Sequence, residues 1–173
     1  MDVYHLIRGN RKFMDHDRVT AFLNKAEITE LINRYFGVLD QRDFDVTTLR
    51  LIFAEDARIV RPNGVAMIGP QAFGESHTHS FVRFRATQHM ASGVVVTLHD
   101  HEQAEFRGNL VAIHFWAEGL GDPTVEPSDN YFLAHGVISG KAAMTPQGWR
   151  ITQLANDVIW RKGTGFQQVL QTQ

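Results

Sequence analysis

An aspartate and two histidines are the residues of this chain whose types and positions could carry out acid–base chemistry. Asp40 ends an apolar helical pattern, His89 begins a strand-like segment, and His114 lies inside the apolar segment 110–116. A carboxylate and two imidazoles in one apolar cavity transfer protons near neutral pH without a metal ion or a cofactor. Their chemistry therefore depends on whether the fold brings the three side chains together.

The position of Asp40 favours a partly buried carboxyl group. It follows Phe36 by four residues and Ile32 by eight, so it continues the apolar face of a helix. Burial and the negative end of the helix dipole would both raise the pKa of its carboxyl, which suits a general acid or base. The alternative is that residues 39–43 form a solvated turn.

Each histidine also has a purely structural alternative. His114 would have apolar neighbours on either face of a strand, and a buried imidazole needs a hydrogen-bond partner such as a nearby aspartate. It could equally be a core histidine with satisfied hydrogen bonds, and His89 could lie at the rim of a strand. His77 and His79 are two residues apart on a predicted helix, so they diverge and do not chelate a metal ion.

Helices in the first half of the chain and long strands in the second are expected to position these residues. Apolar spacing predicts helices at 26–40, 45–53 and 70–84, with short strands at 57–61 and 65–68. Long strands are predicted at 87–99, 103–117, 130–144 and 148–161. Consecutive strands joined by turns favour antiparallel pairing. The predicted fold class is α+β, with N-terminal helices packed in a curved, mainly antiparallel sheet.

A length of 173 residues predicts one main domain. Residues 1–25 have weak periodicity and are predicted to form an N-terminal arm, with a short helix near Val19–Asn24. The domain itself is predicted to span residues 26–162, followed by a C-terminal tail at 163–173. Such an arm could pack on another subunit, and we expect a homo-oligomer, either a dimer or a trimer.

Composition excludes several classes of function. A net charge of −2 provides no electrostatic surface for nucleic acid or an anionic membrane. The absence of cysteine excludes disulfides, thiolate nucleophiles and cysteine-ligated zinc. No histidine or carboxylate pattern indicates a metal site, and no glycine-rich loop indicates a phosphate-binding cofactor. No apolar segment approaches the roughly 20 residues of a membrane span. We therefore expect no metal, no cofactor and a cytoplasmic location.

The order of segments resembles the SnoaL-like branch of the nuclear transport factor 2-like superfamily, which includes ketosteroid isomerases. The matching segments are Tyr35-(x)₃-Leu39-Asp40, Leu49-(x)₃-Phe53-Ala54-Glu55-Asp56-Ala57, Gly69 before a helix, Thr87-Gln88-His89-Met90 and the four long strands. The resemblance covers roughly residues 20–162. It implies a cone-shaped barrel in which the helices and the curved sheet enclose a deep apolar pocket that binds a small apolar or cyclic ligand.

Within that superfamily, the local pattern is similar to that of scytalone dehydratases. Those enzymes have a Thr-Gln-His segment, a second catalytic histidine 25 residues later and a catalytic aspartate at the end of the first long helix, as His89, His114 and Asp40 are placed here. The resemblance implies catalytic roles for these three residues. The paired tyrosines of those enzymes are not evident in this chain, which leaves the substrate open.

The function predicted from this reasoning is that of a cofactor-independent acid–base lyase or isomerase, dehydratase-, isomerase- or cyclase-like, acting on a small apolar cyclic substrate. His89, oriented by Asp40, would be the base, and His114 would be an acid or a polar stabiliser. The residues expected to contact the substrate are Tyr35, Phe36, Phe53, Trp116, His135, Asn156 and Asp157. Two alternatives are a non-catalytic small-molecule-binding protein and a structural subunit resembling the β subunit of aromatic-ring dioxygenases.

Overall fold

The computed structural model describes residues 3–170, with side chains described for residues 16–169. Its elements are, in order, α1 (Val3–Gln41), α2 (Val46–Arg50), β1 (Phe53–Val60), β2 (Ala66–Ile68), α3 (Gly69–Phe81), β3 (Phe84–Leu98), β4 (Gln103–Trp116), β5 (Tyr131–Thr145), β6 (Gly148–Gly163) and α4 (Gln167–Leu170). Helices precede four long strands, so the predicted α+β class is confirmed.

The first helix is longer than the sequence pattern predicts. It has 39 residues and includes both the segment expected at 26–40 and the short helix expected near Val19–Asn24. More than half of each apolar side chain is exposed at Val19, Phe22 and Leu23. Because this part of the helix buries no face, its sequence lacks the apolar spacing from which a helix is predicted. The division into arm, domain and tail stays a prediction; residues 1–2 and 171–173 of the arm and tail lie outside the described residues.

The six strands form one mixed sheet in the order β2-β1-β6-β5-β4-β3. The long strands β3 to β6 pair antiparallel with their neighbours in the chain, as expected for a meander. β1 pairs with β2 antiparallel and with β6 in parallel. In the described residues β2 and β3 are free edges, so the predicted barrel is an open curved sheet.

Irregular pairing bends this sheet around the helices. The register shifts between Ser92 and Val95 in β3, and between His135 and Gly136 in β5. Such bulges bend a strand and increase its twist. The curved sheet thereby wraps around α1, which contacts both β3 and β6, while α3 contacts β1.

The buried face of α1 supplies the centre of the core. Ile28, Ile32 and Tyr35 recur at three- and four-residue spacing and are almost completely buried. Fully burying one such apolar side chain contributes roughly 1.5–3 kcal/mol. The second half of the core comes from strand residues that alternate inward, such as Ile138 and Ile151.

Gly69 makes the predicted start of α3 possible. Its φ angle is 79°, and a Cβ atom at this position would lie 2.5 Å from the backbone oxygen of Glu55. Glycine alone tolerates both the backbone conformation and the close approach. Pro70 follows in the first turn, where its missing N–H costs no helical hydrogen bond.

Truncating the buried face of α1 is expected to destabilise the protein. Ile32→Ala removes a completely buried side chain and should lower the free energy of unfolding by about 2–5 kcal/mol. Leu23→Ala on the exposed part of the same helix should change it by less than about 0.5 kcal/mol. Urea unfolding followed by circular dichroism measures both, and equal effects would show that α1 does not pack as described.

Candidate functional site

Asp40 and His89 meet at the junction between the last turn of α1 and the start of β3. The Asp40 Oδ1 atom lies 2.7 Å from Nδ1 of His89, and Oδ2 accepts the His89 backbone N–H at 2.8 Å. The hydroxyl of Thr87 donates to Oδ1 at 3.1 Å. Residues about 50 apart in the chain thus form one hydrogen-bonded unit, as a catalytic pair requires.

The pKa of the Asp40 carboxyl lies below its usual value, not above it. Burial is the largest single influence and raises the pKa, but the hydrogen bonds from the His89 ring, the His89 backbone and Thr87, together with the His89 charge, outweigh it. Each of these bonds stabilises the carboxylate. The rise predicted from burial and the helix dipole is therefore wrong, and the Asp40 carboxyl is ionised at neutral pH.

The His89 ring is held on several sides. Its side chain is only 7% exposed, and the ring stacks on Phe36 with centroids 5.7 Å apart. The Phe81 ring also stacks on the His89 ring, with centroids 6.5 Å apart and an angle of 25° between the planes. Because Nδ1 is bonded to the Asp40 carboxylate, it carries the proton in the neutral imidazole, and Nε2 is left as the basic nitrogen. His89 lines the cavity described below.

His114 lies beside His89 on the neighbouring strand. The two ring centroids are 5.3 Å apart and nearly perpendicular, and the His114 ring stacks on Phe132 at 4.5 Å. Its Nδ1 atom is buried with no hydrogen-bond partner. A nearby aspartate could have served as its partner, but the Asp40 carboxylate bonds to His89, the residue that it was predicted to orient.

The protonation of His114 distinguishes between the two roles predicted for it. Burial, followed by the charges of His89 and Arg161, lowers the pKa of His114 to about 3, against a smaller opposing effect of Asp40. The ring is therefore neutral at neutral pH. A neutral imidazole donates a hydrogen bond without losing its proton, which suits a polar stabiliser better than a cationic acid.

A cavity of about 190 Å³ opens between α1, α3 and the sheet, beside both histidines. Its lining includes Tyr35, Leu39, Ile59, Arg61, His77, Phe81, Phe84, Leu110, Ala112, Phe132, Ala134, Asn156, Val158, Arg161 and Val169, together with His89 and His114. Asp40 lies behind His89 and is not on the wall. The lining is apolar in its greater part but also contains imidazoles and guanidinium groups, so the predicted apolar pocket is more polar than expected.

Tyr35 and Asn156, two of the residues predicted to contact the substrate, form a polar pair on the cavity wall. The Asn156 Nδ2 group donates to the Tyr35 hydroxyl at 2.8 Å. That bond leaves the phenol proton available to a ligand, while Oδ1 of Asn156 is buried with no partner. Burial raises the pKa of Tyr35 to about 12, although the Asn156 bond and the Arg61 charge lower it, so the phenol stays protonated.

Three aromatic residues expected at the substrate lie outside the cavity lining. Phe36 supports the His89 ring from behind, and Phe53 packs edge-on against Tyr35. Trp116 donates its indole N–H to the backbone oxygen of Thr164. Their apolar spacing correctly indicates burial, but they fill the core around the cavity.

Two further residues expected at the substrate also lie off the cavity wall. His135 stacks on the half-exposed Trp160, with centroids 3.8 Å apart. Asp157 is exposed. Successive strand residues point to opposite faces, so Asp157 points away from the cavity that its neighbour Asn156 lines.

Four titratable residues of the cavity wall were absent from the predicted site: His77, Arg61, Arg83 and Arg161. His77 stacks on Phe73 at 3.9 Å, and its Nδ1 lies 2.9 Å from the Phe73 backbone oxygen. Burial and then the Arg61 charge lower its pKa to about 3. The apolar face of α3 could have revealed His77, but no sequence pattern identified the arginines.

Some kinds of site are not found in the described residues. No group of three or more histidine, cysteine, aspartate or glutamate side chains there is arranged to hold a metal ion. Among the described helices, none has the length and hydropathy needed to cross a membrane.

Comparisons with known proteins place this geometry in context. The protein Kfla4162 from Kribbella flavida is 26% identical over 82% of this chain and 95% of its own, with a TM-score of 0.72. A putative scytalone dehydratase from Novosphingobium aromaticivorans is 16% identical over 84% of this chain and 91% of its own, with a TM-score of 0.70. The hexachlorocyclohexane dehydrochlorinase LinA-type3 from Novosphingobium barchaimii is 15% identical over 86% of this chain and 93% of its own, also with a TM-score of 0.70.

The dehydratase and the dehydrochlorinase are less similar in sequence, and they share only their fold with this chain. That fold is the cone fold of the nuclear transport factor 2-like superfamily. Comparison with curated protein sequences gave no match. The model of the SnoaL-like domain matches residues 20–155, which is most of the chain. The chain therefore belongs to the SnoaL-like domain family.

Proposed function

We propose that this protein is a cofactor-independent lyase or isomerase that acts on a small cyclic substrate. The observation that carries the proposal is the Asp40–His89 pair, with Nδ1 of His89 held 2.7 Å from the carboxylate and the ring on the cavity wall. An imidazole oriented in this way is a general base whose free nitrogen faces the ligand.

The proposed reaction begins when Nε2 of His89 removes a proton from a carbon next to an electron-withdrawing group of the substrate. The electron pair of the broken C–H bond then either forms a double bond as a leaving group departs, or moves into a carbonyl to form an enolate. In an isomerisation, the His89 imidazolium returns the proton to a different carbon. The Asp40 carboxylate stabilises that imidazolium without accepting its proton.

Two polar groups are proposed to stabilise the negative charge that develops on the substrate. The Tyr35 hydroxyl is kept protonated and oriented by Asn156. The neutral His114 ring also lines the cavity, beside His89. Donors fixed before the reaction in a site with little water stabilise a developing oxyanion more strongly than water does.

The names of two similar structures support an elimination. A dehydratase removes water and a dehydrochlorinase removes hydrogen chloride, and both names belong to proteins with this fold. Extending that class to this chain is a proposal, since these proteins share only 16% and 15% of their residues with it. The predicted alternative of a non-catalytic binding protein uses the same cavity and is distinguished by the first experiment below.

Loss of the base is expected to abolish most turnover. His89→Ala should lower kcat/KM about 10²–10⁴-fold, and Asp40→Asn should also lower it by impairing the tautomer and orientation of His89. The assay would follow product formation from hydroxylated cyclic ketones and chlorinated cyclohexanes by mass spectrometry. His79→Ala, which removes an exposed histidine of α3, is the matched control and should retain full activity.

Equal turnover in the wild type and His89→Ala would contradict the role of His89. Tight binding of these compounds to the wild type with no conversion during long incubation would favour the non-catalytic binding protein instead.

A neutral His114 should make stability depend on pH in the acidic range. Its pKa falls from 6.5 in the unfolded chain to about 3 in the folded protein, so only the unfolded state takes up this proton between those values. Its contribution to stability is complete above pH 6.5 and is lost as pH falls towards 3, by up to about 1.4 kcal/mol per pH unit.

His114→Phe should therefore reduce the slope of unfolding free energy against pH between about pH 6 and pH 4.5. The phenyl ring keeps the stacking on Phe132 but does not titrate. Urea unfolding at several pH values provides the measurement, with His101→Gln at an exposed position as the control. An unchanged slope in His114→Phe would indicate that His114 is not buried in its neutral form.

We also propose that the protein is a homo-oligomer that associates through the outer face of the sheet. Members of this superfamily are often oligomeric. Trp160 is 48% exposed and Met90 is 44% exposed, and their chain neighbours Arg161 and His89 line the cavity, so both side chains point to the outer face. Apolar side chains exposed together on one sheet face are typical of a protein–protein interface.

Trp160→Glu should shift the protein to a smaller species because it introduces a charge into this apolar surface. Leu51→Glu, at an exposed position beyond α2, is the control and should not change the assembly. Analytical ultracentrifugation measures both. A monomeric wild type, or an assembly that Trp160→Glu leaves unchanged, would contradict this interface.

A further inference from the structure

The cavity wall has a charge that the proposed mechanism does not use. Arg61, Arg83 and Arg161 line it, and none of the aspartates and glutamates whose side chains the structure describes does so. The net charge of the whole chain is −2, so an overall basic composition does not explain three arginines at one cavity. The nearest acid of the site, Asp40, lies behind His89 and already accepts three hydrogen bonds.

Arg161 brings positive charge close to the histidine pair. It lies on β6 opposite Ala134, and both residues line the cavity. Its charge contributes to the low pKa of His114, so the guanidinium lies within electrostatic range of that ring. Among the described residues, no carboxylate forms an ion pair with it.

Arg61 is held in place by uncharged groups. It donates hydrogen bonds to the backbone oxygen of Ser76 at 3.2 Å and to the hydroxyl of Ser80 at 2.6 Å. These bonds fix the guanidinium without neutralising it. Burial lowers the pKa of Arg61, and the charge of Arg83 lowers it further, against the effect of Tyr35, so two like charges share this wall.

We propose that the substrate is an organic acid whose carboxylate binds to these arginines while its ring lies against His89 and His114. The inference rests on the proposed function, because it names the substrate class for the same cavity. A cavity of about 190 Å³ accommodates a molecule of one or two fused rings with a small planar substituent. The planar guanidinium group matches a carboxylate in a two-bond geometry, which lysine does not provide.

A cyclic acid as substrate would also explain why one small cavity has both an apolar lining and a group of arginines. The apolar residues Leu110, Ala112 and Phe132 surround the ring-binding part. The arginines would orient the acid, and thereby select which carbon of the ring faces Nε2 of His89. Their proposed role is therefore substrate positioning, separate from proton transfer.

The experiment compares acids with amides of the same shape. Isothermal titration calorimetry would measure the affinity of benzoate, cyclohexanecarboxylate and 2-naphthoate, and of the three corresponding neutral amides. The wild type should bind the acids at least about tenfold more tightly than the amides, since a charge-assisted pair is stronger than a neutral hydrogen bond. Arg161→Gln and Arg61→Gln should each weaken acid binding by about tenfold to a hundredfold and change amide binding little.

Arg107→Gln is the matched control, because it removes the same charge at an exposed position of β4. It should leave both affinities unchanged, and circular dichroism should show that all three variants are folded. Equal binding of acids and amides by the wild type, no binding of any acid at millimolar concentration, or equal losses in Arg107→Gln and Arg161→Gln would each overturn the proposal.

This outcome is distinguishable from failure of the proposed function. The binding experiment does not require turnover, so a preference for acids in the wild type and in His89→Ala would support the inference even if His89 proved not to be a base. Conversely, turnover that depends on His89 but shows no preference for acids would support the proposed function. It would contradict the inference that the substrate carries a carboxylate.

Discussion

The contact between Asp40 and His89 is the interaction on which the rest of the site depends. Among the strands that the structure describes, β3 lies at an edge and pairs only with β4, so part of its backbone has no partner there. The His89 backbone N–H donates to the Asp40 carboxylate, which also accepts a bond from the His89 ring. One carboxylate therefore accepts a backbone N–H of an edge strand, fixes the end of α1 against the sheet and selects the tautomer of His89.

The same contact explains the division of roles among the titratable groups. Asp40 stays ionised because its hydrogen bonds outweigh the effect of burial on its pKa. His114 has no such partner, so burial dominates and the ring stays neutral. Two histidines whose centroids are 5.3 Å apart thus have different chemistry, because one carboxylate reaches only one of them. The unpartnered Nδ1 of His114 and Oδ1 of Asn156 are buried polar atoms that cost free energy of folding.

Much of the fold was predictable because its signals are local. The alternation of apolar residues indicated the four long strands to within a few residues, and Gly69 with Pro70 marked the start of α3. The extension of α1 to Val3 was missed, since the exposed Val19 and Phe22 carry no burial pattern. The open sheet was missed because closure depends on whether β2 and β3 meet, which no segment encodes by itself.

The sequence by itself determined the types of chemical group available and the elements that carry them, including the order of Asp40, His89 and His114. The tertiary structure alone decided which apolar side chains border empty space, so that Phe132 lines the cavity while Phe53 and Trp116 fill the core. It also placed Arg61 and Arg161 on the cavity wall and reversed the expected shift in the Asp40 pKa. The physical reason is the same in each case: packing and pKa values depend on distances between residues far apart in the chain, whereas periodicity reports only on neighbours.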